Sequence, residues 1–287
     1  MSVVVTGATG VVGRPIVRAL KDQGVSVRAV ARSVGAFAGV QGVDEVAADL
    51  SRPETLAPAL QGASALFVHP RAVGESAGKL MALAAEHGIQ RVVVLSAMNV
   101  DDDPVYQPSR LNGDRNKEVE EAVIGSGLPW VAVRASSFAT NVVGMFAAQI
   151  RAGDVVRGPY GNFAESLLHE ADLAAVIARG LLDDDLDGRK VQATGPQSLT
   201  HEQMVAVIAE VTGRQLRFEE VRPQVAAQGL IAHGLPEPFV IALMERYERG
   251  VGRPADVTDE VAQILGRRSL TFADWVVDHA DAFSREA

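Results

Sequence analysis

The chain contains no cysteine, which excludes disulfides, thiolate metal centres and a cysteine nucleophile. It is short of cations: 27 Lys and Arg stand against 36 Asp and Glu, a formal charge of −9. Aromatic residues are scarce too, with nine Phe, three Tyr and two Trp. Nucleic-acid affinity rests mainly on cations against phosphates, so no nucleic-acid partner is expected. No stretch approaches the ~18 apolar residues of a membrane span; the run 142–150 is short and holds Gly144 and Gln149. The first residues lack a basic region, and glycine interrupts their apolar stretch at position 7, unlike a secretory signal. The expectation is a soluble cytoplasmic protein with no membrane association.

What is present is an ordinary globular composition, 47% hydrophobic and 22% charged over 287 residues. That length suits one large domain, or one with a smaller partner. Strand-like segments rich in β-branched residues fall at 2–5, 25–31, 43–48, 63–68, 91–95 and 130–133. Helical spacing appears between them at 15–23, 53–60, 74–87 and 114–125. Short joints between alternating strands and helices imply βαβ units and a parallel sheet covered on both faces. Further on, the pattern predicts a helix over 172–182 with Asp172 as its cap, a further strand at 189–193, and a strand at 214–221. It also predicts a Pro-punctuated helical region over 223–250 and an amphipathic helix over 270–286 capped by Thr271. Thr200 followed by Gln203 three residues on reads as a capping box for a helix reaching 211. There is no internal repeat, low-complexity tract or clear linker.

The most informative stretch is VVVTGATGVVGRP at the first strand–helix joint. Gly7, Gly10 and Gly13 lie three apart, with Thr9, Val11 and Val12 between them. A dinucleotide pyrophosphate must approach backbone N–H groups at a helix N-terminus, where the peptide dipoles favour anions. Side chains at the glycine positions would obstruct that approach, the turn, or the packing of helix on sheet. The competing explanation is a plain strand–turn–helix joint. The spacing G-x-x-G-x-x-G with TGATG resembles the extended and atypical short-chain dehydrogenase/reductase superfamily.

The second strand ends AVARS. Where NAD enzymes usually carry an acid for the ribose hydroxyls, this chain has Arg32 and then Ser33. A guanidinium and a hydroxyl suit a 2′-phosphate, which favours NADP(H) over NAD(H); Arg14 offers a second phosphate contact. A solvated surface cation is the alternative for Arg32. Asp49, followed by Leu50 in AADLS, resembles the superfamily's adenine-binding Asp. An Asx turn is the alternative there.

Further segments narrow the resemblance. EEAVIGSGLPWVAVRASSFATN is similar to the E-x-x-L-x-x-S-G-x-x-x-T-x-x-R-x-x-x-F-x-x-N stretch of NmrA-like proteins, and HEADLAAVIARGLL and ATGPQSLTHEQMVAVIAEVTGR resemble later parts of that family. The resemblance covers roughly residues 1–220. It implies a Rossmann-type, doubly wound parallel α/β sheet with a smaller α/β C-terminal substrate domain. The expected division is 1–150 for the dinucleotide-binding part, with 170–195 returning to it, and 151–169 plus 196–287 for the substrate part. A small-molecule substrate would lie in the cleft between them. A homo-oligomer or a regulatory protein partner is compatible with this reading.

The superfamily's Tyr-x-x-x-Lys pair is absent. Registering the helix by Glu120, six residues before Ser126-Gly127, puts Asn116 at the Lys place and Asn112 at the Tyr place. Neither performs the usual proton transfer. Lys117 is one residue off, ~100° around the helix, and registering by Glu121 instead puts Gly113 at the Tyr place. Tyr106 with Arg110 makes a Tyr-x-x-x-Arg, but Pro108 disfavours a helix interior there.

The strand ends should wall the nicotinamide: His69 and Pro70, then Ser96, Ala97 and Met98, then Arg134 to Phe138, Ser136 included. His69, with a pKa near neutrality, is a candidate proton donor; the alternative is a wall residue hydrogen-bonded to backbone. Ser96 is a candidate for bonding a substrate carbonyl or equally a cap of the strand end, and Asn116 and Asn112 are candidates for orienting substrate or ribose. His169 is either structural or cleft-lining. Asp101–Asp103 and Asp183–Asp185 read as solvated turns, so no metal is expected, and no G-x-S-x-G elbow occurs.

Two outcomes follow. One is NADPH-dependent reduction of a quinone, an enone or an aromatic, polyketide-like carbonyl by direct hydride transfer, in which placement supplies much of the catalysis. The other is a non-catalytic NADP(H) redox sensor. A redox-neutral isomerase or dehydratase on the same fold is a third option.

Overall fold

The computed structural model describes residues 1–285. The first half runs β1 (Ser2–Thr6), α1 (Gly13–Asp22), β2 (Ser26–Ala31), β3 (Val43–Ala47), α2 (Ala57–Leu60), β4 (Ala65–Val68) and α3 (Pro70–Val73). It continues with α4 (Ala77–Glu86), β5 (Arg91–Ala97), α5 (Pro108–Leu111), α6 (Asn116–Ile124) and β6 (Trp130–Ala135). The second half holds α7 (Ala148–Ala152), β7 (Val155–Gly158), β8 (Ala164–Glu165), α8 (Glu170–Leu182), β9 (Arg189–Ala193), β10 (Leu199–Thr200) and α9 (His201–Thr212). After these come β11 (Arg217–Glu220), α10 (Pro223–Ala232), α11 (Glu237–Gly250), α12 (Glu260–Leu265) and α13 (Phe272–Asp278).

Seven strands form one sheet in the order β3-β2-β1-β4-β5-β6-β9, every pair parallel. A parallel sheet is covered on both faces, so its strands are apolar without interruption, as VVV in β1 and RVVVL in β5 foretell. Alternation then sorts the side chains. Val3, Val5, Val93 and Leu95 join one core with Ile16, Leu20, Ile177 and Leu181 of α1 and α8. Val4, Val92 and Val94 join the other with Leu80, Met81, Val119 and Val123 of α4 and α6. α8 presses close to the sheet because Gly180 faces it: a Cβ there would lie 3.3 Å from Val93 Cγ2.

Outside the sheet, β7 pairs with β11 in parallel and β8 with β10 antiparallel. A third core gathers Phe146, Ile150, Met204, Ile208, Phe272 and Trp275. A small fourth one, Phe163, Val240, Met244 and Tyr247, lies under α11. Among the described residues no helix is long and apolar enough to cross a membrane.

Three expectations are corrected. Asp172 does not cap α8. His169 does, with extended backbone (φ −71°, ψ 132°) and Nδ1 accepting the Ala171 N–H. Asp172 is instead buried inside the helix, accepting the Leu270 N–H at 2.7 Å and pairing with Arg267 at 2.6 Å. The C-terminal helix is shorter than 270–286: it begins after Thr271, which forms a capping box with Asp274, and ends at Asp278. A 3-10 turn follows over Ala280–Phe283, and Glu286 lies outside the described residues. Finally, α6 starts at Asn116, not Asp114, because the Asp114 carboxylate is held two-pronged by Arg71 at 2.7 and 2.9 Å. β7, β8 and α12 are too short to leave a periodic signal.

Candidate functional site

The glycine loop joins β1 to α1 at the point where the chain leaves β1, whose neighbours are β2 and β4. In open α/β sheets this crevice, beyond the carboxyl ends of the strands, is where ligands bind. Thr6 fastens its wall, donating its hydroxyl to the Phe67 carbonyl and accepting the His69 N–H, both at 2.9 Å. Gly7 adopts φ +64°, a conformation costly for any residue with a Cβ. A Cβ on Gly13 would sit 2.2 Å from the Gly7 oxygen and 2.6 Å from Ala8 Cα. That is the close loop–helix approach a pyrophosphate cradle requires. The N-terminus of α1 carries no side-chain cap and no acid in its first turn, so its dipole faces the loop uncompensated. Val11 lies bare on the loop, 60% exposed.

Around this cradle, Arg14 donates Nε to the Thr9 carbonyl at 2.9 Å and rests over Phe37. Arg32 and Ser33 are exposed just past β2. Asp49 forms an Asx turn: Oδ1 accepts both the Ser51 hydroxyl at 2.7 Å and the Ser51 N–H at 3.0 Å. The Ser51 bonds, with Arg52 and Arg32 nearby, hold its carboxyl below the usual range. Leu50 beside it is buried.

His69 follows β4 and stands at the start of α3 before the buried Pro70. Its ring packs where a Gly7 side chain would be, and its buried Nδ1 has no partner among the described residues. Burial pushes its imidazole below the ordinary value, with Asp114 pulling weakly the other way. A neutral ring suits hydrogen bonding at the loop better than delivery of a proton. The fit is consistent: an open helix N-terminus, glycines that admit close approach and an orphaned buried nitrogen suit the pyrophosphate of a dinucleotide.

Ser96, at the end of β5, is buried and donates its hydroxyl to Glu120 Oε2 at 2.5 Å. Glu120 in turn receives Arg134 through Nε at 3.1 Å and Nη2 at 2.6 Å. The Ser96 hydroxyl therefore points at α6 and not into the crevice. Ala97, the last residue of β5, is half-buried beside it. Asn116 is the half-buried first residue of α6, whereas Asn112 is exposed and closes α5. The helical register relating Asn112 to Asn116 is thus broken, and the Tyr place falls outside the helix. Lys117 points toward Asp101, 3.9 Å away. Tyr106 lies in a 3-10 turn with the Arg249 guanidinium 3.9 Å above its ring.

Past β6 the structure adds a group that sequence reasoning missed. The Ser136 hydroxyl is used on the Ser166 carbonyl, and Phe138 bridges to Leu168. Ser137 donates to Glu165 Oε1 at 2.5 Å, and Arg246 of α11 reaches the same oxygen at 2.8 Å. Glu165 is buried; burial alone would raise its pKa, but Arg246, Ser137 and His201 outweigh that and hold it below the usual range. His201 is buried against Phe163 and Tyr247. Burial lowers its pKa against the pull of Glu165. A two-residue strand and a partner 81 positions away leave no local signal. The one local hint is an arginine within the Pro-punctuated helical region over 223–250.

Fold and loop together define a dinucleotide-binding α/β protein. The chain belongs to the NmrA-like family, whose family model matches residues 1–255. It is 34% identical over 287 residues to a (4-alkanoyl-5-oxo-2,5-dihydrofuran-3-yl)methyl phosphate reductase of Streptomyces griseus subsp. griseus, covering 99% of this chain and 100% of the relative. It is 29% identical to an NAD(P)H azoreductase of Xenophilus azovorans, over 98% of this chain and 99% of that one. Among solved structures, the NADPH-dependent quinone oxidoreductase of Escherichia coli complexed with NADPH superposes with a TM-score of 0.80 at 21% identity, covering 97% and 99% of the two chains.

Proposed function

We propose that this protein is an NADPH-dependent reductase of a small conjugated acceptor: a quinone, an enone or an aromatic, polyketide-like carbonyl. It is an oxidoreductase that binds NAD(P)(H), in keeping with its NAD(P)H-dependent reductase relatives. The observation that carries the reading is the glycine cradle with its uncapped helix N-terminus. The preference for NADPH rests on Arg32, exposed directly after β2. Bound there, the reduced nicotinamide supplies a hydride. The chain's own part is to fix the dinucleotide with Gly7, Gly10, Gly13, Arg14 and Arg32, and to seat the acceptor against the strand ends from His69 to Phe138. Without the Tyr-Lys pair, acceptors that need little protonation in the transfer step are favoured.

The test is incubation with NADPH and a panel of quinones and enones, following the nicotinamide absorbance. Turnover with at least one conjugated acceptor supports the reading. Tight NADPH binding without turnover on any of them would overturn it in favour of a sensor.

A further inference from the structure

Arg246 of α11 is anchored to Ser137, just beyond β6, and to the buried Glu165. Its Nη2 is fixed by Glu165 Oε1 at 2.8 Å and by Ser137 Oγ at 3.1 Å, and its guanidinium lies over the Phe163 ring at 5.3 Å. Ser137 is the second residue beyond β6, so this anchoring places the guanidinium at the carboxyl end of β6, between β5 and the edge strand β9. Glu165 is 5% exposed while the Arg246 side chain is 34% exposed. The carboxylate of the pair is buried, and the arginine side chain is partly exposed. Among the described residues no acceptor engages Nε or Nη1 of Arg246. A guanidinium carries five N–H donors and does not lose its proton in proteins. Glu165 cancels its charge, so the pair has little pull on anions in general but keeps oriented donors for one oxygen.

Resting on the reductase reading, we propose that Arg246 is a catalytic residue: it binds the acceptor's carbonyl oxygen and stabilises the negative charge that hydride addition puts there. The hydride, given by the reduced nicotinamide, forms a C–H bond at the electrophilic carbon. The π pair shifts to the oxygen, the nicotinamide is left oxidised, and the oxyanion under Arg246 then takes a proton from water. Because arginine has no proton to give, the acceptors must yield a stabilised enolate or phenolate, as enones and quinones do. Simple ketones, whose alkoxides need concerted protonation, are excluded. Preorganised donors at a developing oxyanion are the strongest single catalytic device available to a site without a proton donor.

The test uses the full chain with 4-nitrophenol as oxyanion mimic, its phenolate read by absorbance, without and with NADP+. In wild type the bound probe should ionise about half a pH unit below the free probe, because the oriented N–H donors hydrogen-bond its charged form. Arg246→Gln alone would strand the Glu165 charge, so Arg246→Gln/Glu165→Gln is the main variant and Arg246→Lys the second. The double variant should lose the shift and lower kcat for quinones about 100-fold, with NADPH affinity by nicotinamide fluorescence unchanged. Arg246→Lys should keep part of the shift. Equal titration of the probe in wild type and double variant, or no bound phenolate in wild type, overturns the assignment. Failure of wild type to bind NADPH would instead bring down the reductase reading, since the probe titration needs no cofactor.

Discussion

The hydroxyl of Ser96 is bonded to the carboxylate of Glu120 at 2.5 Å, inside the molecule and on the α6 side of the sheet. The serine that ends β5 is therefore part of a polar tie between sheet and helix, completed by Arg134. Glu120→Ala would leave Arg134 largely buried without its main partner, a loss expected to cost about 3–5 kcal/mol. Ser96→Ala removes one bond from a carboxylate that keeps two others, at a cost of about 1 kcal/mol. Urea denaturation checks both. Ser96→Ala should leave turnover within about two-fold of wild type, since ~1 kcal/mol is spent on folding and not on the transition state. Loss of turnover at unchanged stability would place Ser96 against substrate instead.

Gly13→Ala is expected to be far more damaging than its size suggests. The added methyl would meet backbone, Gly7 oxygen at 2.2 Å and Ala8 Cα at 2.6 Å, and backbone cannot swing aside as a side chain can. Overpacking of this kind costs about 1–3 kcal/mol, and loop displacement should abolish tight NADPH binding. Gly24→Ala gives the contrast. That residue has a positive φ, which Gly13 does not, and open space surrounds it, so a stability loss of about 1 kcal/mol should come with unchanged NADPH affinity. Thermal unfolding and nicotinamide fluorescence read the two effects separately.

What the sequence made legible follows from the range of the forces involved. The seven-stranded sheet could be anticipated because unbroken runs such as VVV and RVVVL are the direct signature of strands buried on both faces. The glycine loop could be read because its steric demands act between residues at most six apart. Thr200 and Thr271 could be read as caps for the same reason. Asp172 misled because Asp is a good cap in general, while the true cap is an imidazole nitrogen; the residue that wins depends on Leu270 and Arg267, almost a hundred positions away. Ser96, Glu165 and Arg246 were opaque on the same grounds. Their roles are set by partners across the fold, and a two-residue strand like β8 has no periodicity to announce it.

Acid should weaken this protein before it reaches the carboxylate range. His69 and His201 have folded pKa values below their ordinary 6.5, in both cases first because burial disfavours the charged ring. The unfolded chain then binds more protons than the folded one as pH falls through 6.5, so stability declines from there downward. Glu165, held below its ordinary 4.5, adds stability that is complete above 4.5 and is lost as pH falls further. Denaturant midpoints between pH 8 and pH 4 should show the first decline near 6.5 and a second below 4.5. His201→Phe, whose ring can keep the packing against Phe163 and Tyr247, should reduce the first; Glu165→Gln should reduce the second. A midpoint that is constant from pH 8 to pH 5 would contradict the histidine assignment.

The proposed preference for NADPH over NADH rests on Arg32. It stands exposed after β2, and its influence on the protein is limited to a modest pull on Asp49, so its guanidinium is at hand for an incoming phosphate. Hydrogen bonds to a charged group contribute about 1.5–3 kcal/mol, or roughly a 10- to 100-fold change in affinity. Arg32→Ala should weaken NADPH by that factor and NADH by less than about three-fold, since the latter has no 2′-phosphate to lose. Arg14 is tied by Nε to the Thr9 carbonyl; it is the proposed second phosphate contact, so Arg14→Ala should show the same bias in smaller measure. Equal losses for both dinucleotides in Arg32→Ala would mean that the arginine does not read the 2′-phosphate and would remove the basis of the proposed NADPH preference.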